Sequence, residues 1–134
     1  MHLSLTLGVA DLQRTEDFYR EILLLDPQSS RPGEGMPDFL LLRCGETCVV
    51  FRPLSVLEAQ HPALLQNLTR QPLGVGVQLE LSCPDLTAVR NRIERCQWPV
   101  AYELEDAEHH RREIWLHDPD GYLIVLNEEG RFFA

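Results

Sequence analysis

The stretch HDPDGYLIVLNEE, residues His117–Glu129, reads as a tight turn feeding a strand. Proline fixes φ at the second position of Asp118-Pro119-Asp120-Gly121 and glycine accepts positive φ at the fourth, so these four residues reverse the chain. Tyr122 to Asn127 then supplies an apolar run of strand length, and Glu113 to His117 ahead of the turn is its hairpin partner.

Further back, Val100 to Leu104 fits another strand. Pro84 and Asp85 open a helix whose buried stripe is predicted at Leu86, Val89, Ile93 and Cys96. Before that helix, Val75, Val77, Leu79 and Leu81 alternate with Gly76, Gln78 and Glu80, the period of a strand with one face packed. The first half of the chain repeats this order. Leu3, Leu5 and Leu7 alternate with His2, Ser4 and Thr6. Asp11 is the predicted N-cap of a helix using Leu12, Tyr19, Ile22 and Leu23, ended by Pro27 and the run Ser29 to Gly33. Strands follow at Asp38 to Arg43 and Thr47 to Arg52, joined at Cys44-Gly45-Glu46. A single offset of 74 (79 − 5) carries Leu5 to Leu79, Leu7 to Leu81, Asp11 to Asp85, and Val49-Val50-Phe51 to Leu123-Ile124-Val125. Such an internal repeat points to two copies of one supersecondary unit. Module 1 is expected over about 1–53 and module 2 over about 74–134, with a linker at 54–73 that is helical around Leu57, Leu64, Leu65 and Leu68.

Composition narrows the function. With 134 residues and 44% hydrophobic content the chain supports one domain with a real core. No apolar run approaches the roughly 20 residues of a membrane span, so a cytoplasmic protein is expected. A net charge of −9 disfavours nucleic acid and mildly favours a cationic ligand. All 12 basic residues are arginine, which rules out Schiff-base chemistry and a Walker-type phosphate loop, both of which need lysine. Cys44, Cys48, Cys83 and Cys96 have no C-x-x-C spacing and read as reduced thiols. His109-His110, between charged stretches, reads as an exposed hairpin tip.

The Val-Ala-Asp-Leu helix entry, the Phe18-Tyr19 pair after it, two βαβββ modules and the terminal DPDGY-x-I-x-L stretch together resemble the vicinal oxygen chelate superfamily, the group of glyoxalase I, bleomycin-resistance proteins, fosfomycin-resistance enzymes and extradiol dioxygenases. The resemblance covers essentially the whole chain. It implies an α+β fold in which two βαβββ modules build a curved mixed sheet, a cup, with helices on its outer face. It also implies, in metal-dependent members, metal ligands on the first and last strands of each module. Those positions map onto Ser4, Phe51, Gln78 and Val125. Phenylalanine and valine cannot coordinate, serine is a poor ligand, and a divalent metal of this class wants imidazole and carboxylate.

Strand parity then predicts a pocket formed by His2, Ser4, Thr6, Phe51, Gln78, Glu80, Leu123 and Val125, polar on two strands and apolar on two others. The function expected is binding of a small organic molecule, cationic or amphipathic, without cofactor or metal, in a protein that leans away from enzymatic activity. The bleomycin-resistance branch further implies a homodimer. Two alternatives stay open. One is a lyase, isomerase or dioxygenase with a displaced site, either a divalent metal on His2 and Glu80 or metal-free catalysis with His117 or Glu80 as general base. The other is an interaction domain with a vestigial cup. Trp98, Tyr102 and Trp115 are possible stacking residues, and Phe132-Phe133 a possible cover for the pocket.

Overall fold

Asp11 ends the first strand and starts the first helix by accepting hydrogen bonds from the backbone N–H groups of Gln13 and Arg14; Asp85 does the same for Ala88 in the second half. These caps satisfy donors that the first helical turn leaves unpaired. The computed structural model describes residues 1–128, so Phe132-Phe133 lie outside the described residues. Module 1 consists of β1 (Ser4–Val9), α1 (Leu12–Asp17) running into a π-helical turn at Phe18–Ile22, β2 (Gln28–Ser30), β3 (Phe39–Cys44) and β4 (Thr47–Pro53). A short helix, α2 (Leu54–Gln60), leads toward module 2: β5 (Gln78–Cys83), α3 (Leu86–Arg95), β6 (Tyr102–Asp106), β7 (Arg111–His117) and β8 (Leu123–Glu128).

Each module forms a four-stranded mixed sheet, in the order β1-β4-β3-β2 and β5-β8-β7-β6. The first and last strands of each module run parallel and the remaining pairs antiparallel. The α+β class and the repeated topology follow the sequence reading. One face of each sheet is covered by its helix, and these covered faces merge into one core. Leu7, Phe18, Tyr19, Leu40 and Phe51 of module 1 belong to the same buried cluster as Leu86, Ile93, Ile114, Ile124 and Leu126 of module 2. Phe18 packs on Trp98 with ring centroids 4.9 Å apart, so Trp98 is a core residue joining the modules. Among the described residues, the opposite face of each sheet has no helix over it except where α2 crosses the end of β1. Gly8 faces that crossing, where a Cβ would stand 2.6 Å from Leu54 Cδ2 and push that side chain aside.

The DPDG turn fastens the modules together. The buried Asp118 carboxylate accepts hydrogen bonds from Tyr19 Oη at 2.9 Å and from the backbone N–H groups of Asp120 and Tyr122. Asp120 accepts from the Ala10 N–H at 2.8 Å, and Tyr122 Oη donates to the Gly8 carbonyl at 2.8 Å. Burial raises the Asp118 pKa, and the bonds from Tyr122, Tyr19 and Asp120 oppose that rise.

Several local expectations are corrected. Residues 28–30, expected as part of a loop, form β2 by pairing with β3. Val75 and Val77 precede β5 rather than belonging to it: Gly74 and Gly76 adopt positive φ, a turn closes from Val77 N–H to the Gly74 carbonyl, and Val75 is 78% exposed. Cys96 caps α3 and is exposed, because the helix ends one residue earlier. In the linker only α2 and a 3-10 turn at Leu68–Arg70 are helical, and Leu64 is exposed. Among the described residues no helix is long and apolar enough to cross a membrane.

Candidate functional site

Pairing registers fix which side chains share a face, because direct partners on neighbouring strands point the same way and the face alternates at every residue. On the uncovered face of module 2, three rows cross β7, β8 and β5: His117, Leu123 and Gln78; Trp115, Val125 and Glu80; Glu113, Asn127 and Ser82. Tyr102 on β6 extends the middle row, pairing with Trp115, and the two rings meet edge to face at 5.7 Å. In module 1 the corresponding rows are Arg43, Cys48 and Ser4, then Leu41, Val50 and Thr6.

Strand parity holds within each sheet, but Ser4 and Thr6 lie on the uncovered face of module 1 and Gln78, Glu80, Leu123 and Val125 on that of module 2, rather than in a single row. His2 is exposed and lies ahead of β1, outside the strand. Phe51 is the exception. It pairs with Leu7, is fully buried, and packs against Tyr19 at 4.9 Å on the helix-covered face, although it borders a hollow of about 320 Å³ together with Gln78 and Glu80. The cause is a turn of different length. Positions 44–47 separate Arg43 from Cys48, whereas positions 118–122 separate His117 from Leu123, four residues against five. Beyond the turn the offset becomes 75 (123 − 48), so the counterpart of Val125 is Val50, and a slip of one residue sends Phe51 to the other side.

The four positions at which the family resemblance implies metal ligands are thus Ser4, Val50, Gln78 and Val125. Two aliphatic side chains, one hydroxyl and one amide do not fit a divalent cation that requires imidazole and carboxylate donors. His2 and Glu80, the alternative pair, belong to no such group either: among the described residues no cluster of three or more His, Cys, Asp or Glu side chains could hold a metal.

What the uncovered face of module 2 carries is an ordered polar array beside an aromatic pair. Asn127 Nδ2 donates to Glu80 Oε1 at 2.9 Å, while Asn127 Oδ1 accepts from Ser82 Oγ at 2.9 Å. Glu113 is only 5% exposed; its carboxylate takes Trp115 Nε1 at 3.0 Å on one oxygen and Arg111 at 3.0 Å on the other. A buried carboxylate so held fixes the indole plane of Trp115. Glu113 was missed from sequence, although the parity that pairs Trp115 with Val125 places Glu113 on the same face. His117, Gln78 and Leu123 border a cavity of about 460 Å³ walled on its other side by residues 73–77. Trp98 Nε1 donates to the His117 carbonyl at 2.8 Å, which anchors that strand end.

The cysteines and the other histidines stand apart from this face. Cys44 lies with Leu42 under the helices and Cys48 on the uncovered side. Burial pushes the Cys83 thiol up to about 11 and raises that of Cys44, so neither is a thiolate at neutral pH. His109 Nδ1 lies 2.8 Å from Asp106 Oδ2 at the hairpin tip and holds that carboxyl below its ordinary value.

Solved structures share this fold. A lactoylglutathione lyase from Agrobacterium tumefaciens superposes with a TM-score of 0.64 at 17% identity, over 99% of this chain and 96% of that one. TnmS3, an antibiotic binding protein from Streptomyces sp. CB03234, gives 0.64 at 22% identity, over 96% and 94%. A glyoxalase/bleomycin resistance protein/dioxygenase superfamily member from Sphaerobacter thermophilus DSM 20745 gives 0.63 at 20% identity, over 96% and 97%. No curated protein matches significantly. The profile of the Glyoxalase/Bleomycin resistance protein/Dioxygenase superfamily matches residues 2–126, nearly the whole chain, and the protein belongs to that superfamily.

Proposed function

We propose that the protein binds a small, planar organic cation on the uncovered face of module 2, without a metal. The observation that carries this reading is the middle row Tyr102, Trp115, Val125 and Glu80: two aromatic rings and an oriented carboxylate in line across one sheet, on either side of the buried Val125. An aromatic cation gains from ring stacking and cation–π attraction at Trp115 and Tyr102, and from the charge of Glu80. Asn127 holds Glu80 at one oxygen and leaves the other for the ligand. The similarity to an antibiotic binding protein of the same fold supports a binding role. Tyr102, 51% exposed, marks a face still open on one side, and a second copy of the chain is the proposed cover, in a cytoplasmic homodimer.

The test is titration with N-methylacridinium, whose fluorescence is quenched when it stacks on indole. Saturable quenching that Glu80→Gln and Trp115→Ala each weaken is the expected result. Quenching insensitive to both substitutions would overturn the reading. Molar mass in solution tests the dimer.

A further inference from the structure

A second cavity, also about 460 Å³, lies on the helix side of the sheets, where the two modules meet. Its walls come from the end of the first helix (Leu23, Leu25), from β5 and β8 (Leu81, Cys83, Leu126) and from α3 (Ala88, Val89). Glu80, Leu81 and Cys44 also border an adjoining hollow of about 320 Å³ between β1 and β5. The volume is that of a small-molecule site, and the interior is aliphatic.

The mouth of this cavity is formed by an unusual residue. The first helix closes with the Leu25 N–H bonded to the Tyr19 carbonyl, which puts Leu24 in the left-handed region at φ 57°. Module 2 also ends its helix on a left-handed residue, Gln97 at φ 54°, with the Trp98 N–H bonded to the Ile93 carbonyl, a span one residue shorter. At the equivalent exposed cap, module 2 carries a polar side chain and module 1 a leucine that is 49% exposed and lines the cavity. A left-handed leucine facing water is disfavoured on both counts. It also extends the apolar wall outward to the surface.

From these features we infer that the inter-module cavity is a second binding site, for an uncharged, predominantly apolar molecule. Charge of both signs borders it, Arg43 against Glu80 and Asp85, as a rim to a lining that is otherwise mostly aliphatic. A charged ligand would meet repulsion from one side of that rim, whereas an apolar one loses only water. Glu80 borders both this cavity and the acidic, aromatic face of module 2, but the aliphatic lining around Leu24, Ala88 and Val89 belongs to the cavity alone, and the inference does not rest on the function proposed above.

N-phenyl-1-naphthylamine, an uncharged dye that brightens on leaving water, is the probe. Saturable binding at one dye per chain is expected, weakened at least about tenfold by Ala88→Trp, which fills the cavity, and to a lesser degree by Leu24→Gln. Trp115→Ala should leave it unchanged, and N-methylacridinium should not displace it. Dye binding that persists at full strength in a folded Ala88→Trp protein, or that N-methylacridinium displaces, would overturn the site. Should Ala88→Trp fail to fold, as judged by circular dichroism, Leu24→Gln decides: unchanged binding contradicts the inference.

Discussion

Module 1 and module 2 share strand order, helix caps and a common core, yet their uncovered faces differ in chemistry. Module 2 presents Trp115, Tyr102 and Glu80 around Val125, with Glu113 and Asn127 ordering them. Module 1 presents Leu41, Thr6 and Ser4 around Val50, with Arg43 at the corner. The longer turn of module 2 is the source of a second difference. Its extra residue accommodates Asp118, whose carboxylate ties the second module to Tyr19 of the first, while the shorter connection at Gly45-Glu46 makes no such tie. The two copies of one scaffold thus carry different side chains on corresponding rows, aromatic and carboxylate in module 2, aliphatic and hydroxyl in module 1.

The largest expected effect concerns the shifted register. Phe51→Ala should cost about 3–5 kcal/mol in denaturant unfolding, because a fully buried ring is removed from the core. Val50→Ala, one residue away on the other face, should cost about 1–2 kcal/mol. A reversal of that order would show that Phe51 and Val50 have exchanged faces. Next comes the inter-module tie. Asp118→Ala strands the Tyr19 hydroxyl and two backbone N–H groups and should cost about 2–3 kcal/mol. An urea midpoint close to that of the unsubstituted protein would argue against it.

Charge at Asp118 gives a smaller, pH-dependent effect. Its folded pKa is raised above the unfolded carboxylate value of about 3.9, so the folded state holds the proton more tightly. Its contribution to stability is therefore greatest below the unfolded value and declines as pH rises toward the folded one. Asp118→Asn, which keeps an acceptor for the two backbone N–H groups, should remove that decline. Parallel pH profiles for the two proteins would contradict the assignment. On the ligand-facing side, Glu80→Gln and Trp115→Ala should each weaken N-methylacridinium about 3- to 30-fold, while Thr6→Val in module 1 should leave it unaltered.

The sequence disclosed the fold through signals that are local and periodic: the alternation at Leu3 to Leu7, the Asp11 and Asp85 caps, and the DPDG turn all depend on near neighbours. The site was less accessible, for two physical reasons. Face assignment in β4 depended on turn length, and a single residue between Arg43 and Cys48 was enough to misplace Phe51 while leaving Val125 correctly placed. The inter-module contacts of Tyr19, Asp118 and Asp120 join residues about a hundred positions apart, and no spacing rule announces them. Likewise, β2 exists because β3 offers it a partner; its own residues carry no strand signature.

The central proposal is that the protein binds its ligand on the module 2 face without a metal, Ser4, Val50, Gln78 and Val125 offering no imidazole or carboxylate donor. The most direct measurement is the N-methylacridinium quenching titration, run in parallel on chelator-treated protein and on protein supplemented with Ni(II), Zn(II), Mn(II) or Fe(II). The account predicts one dissociation constant under all conditions and no metal retained at stoichiometric level after dialysis. Binding that appears only with a metal, or one equivalent of metal held per chain, would contradict it.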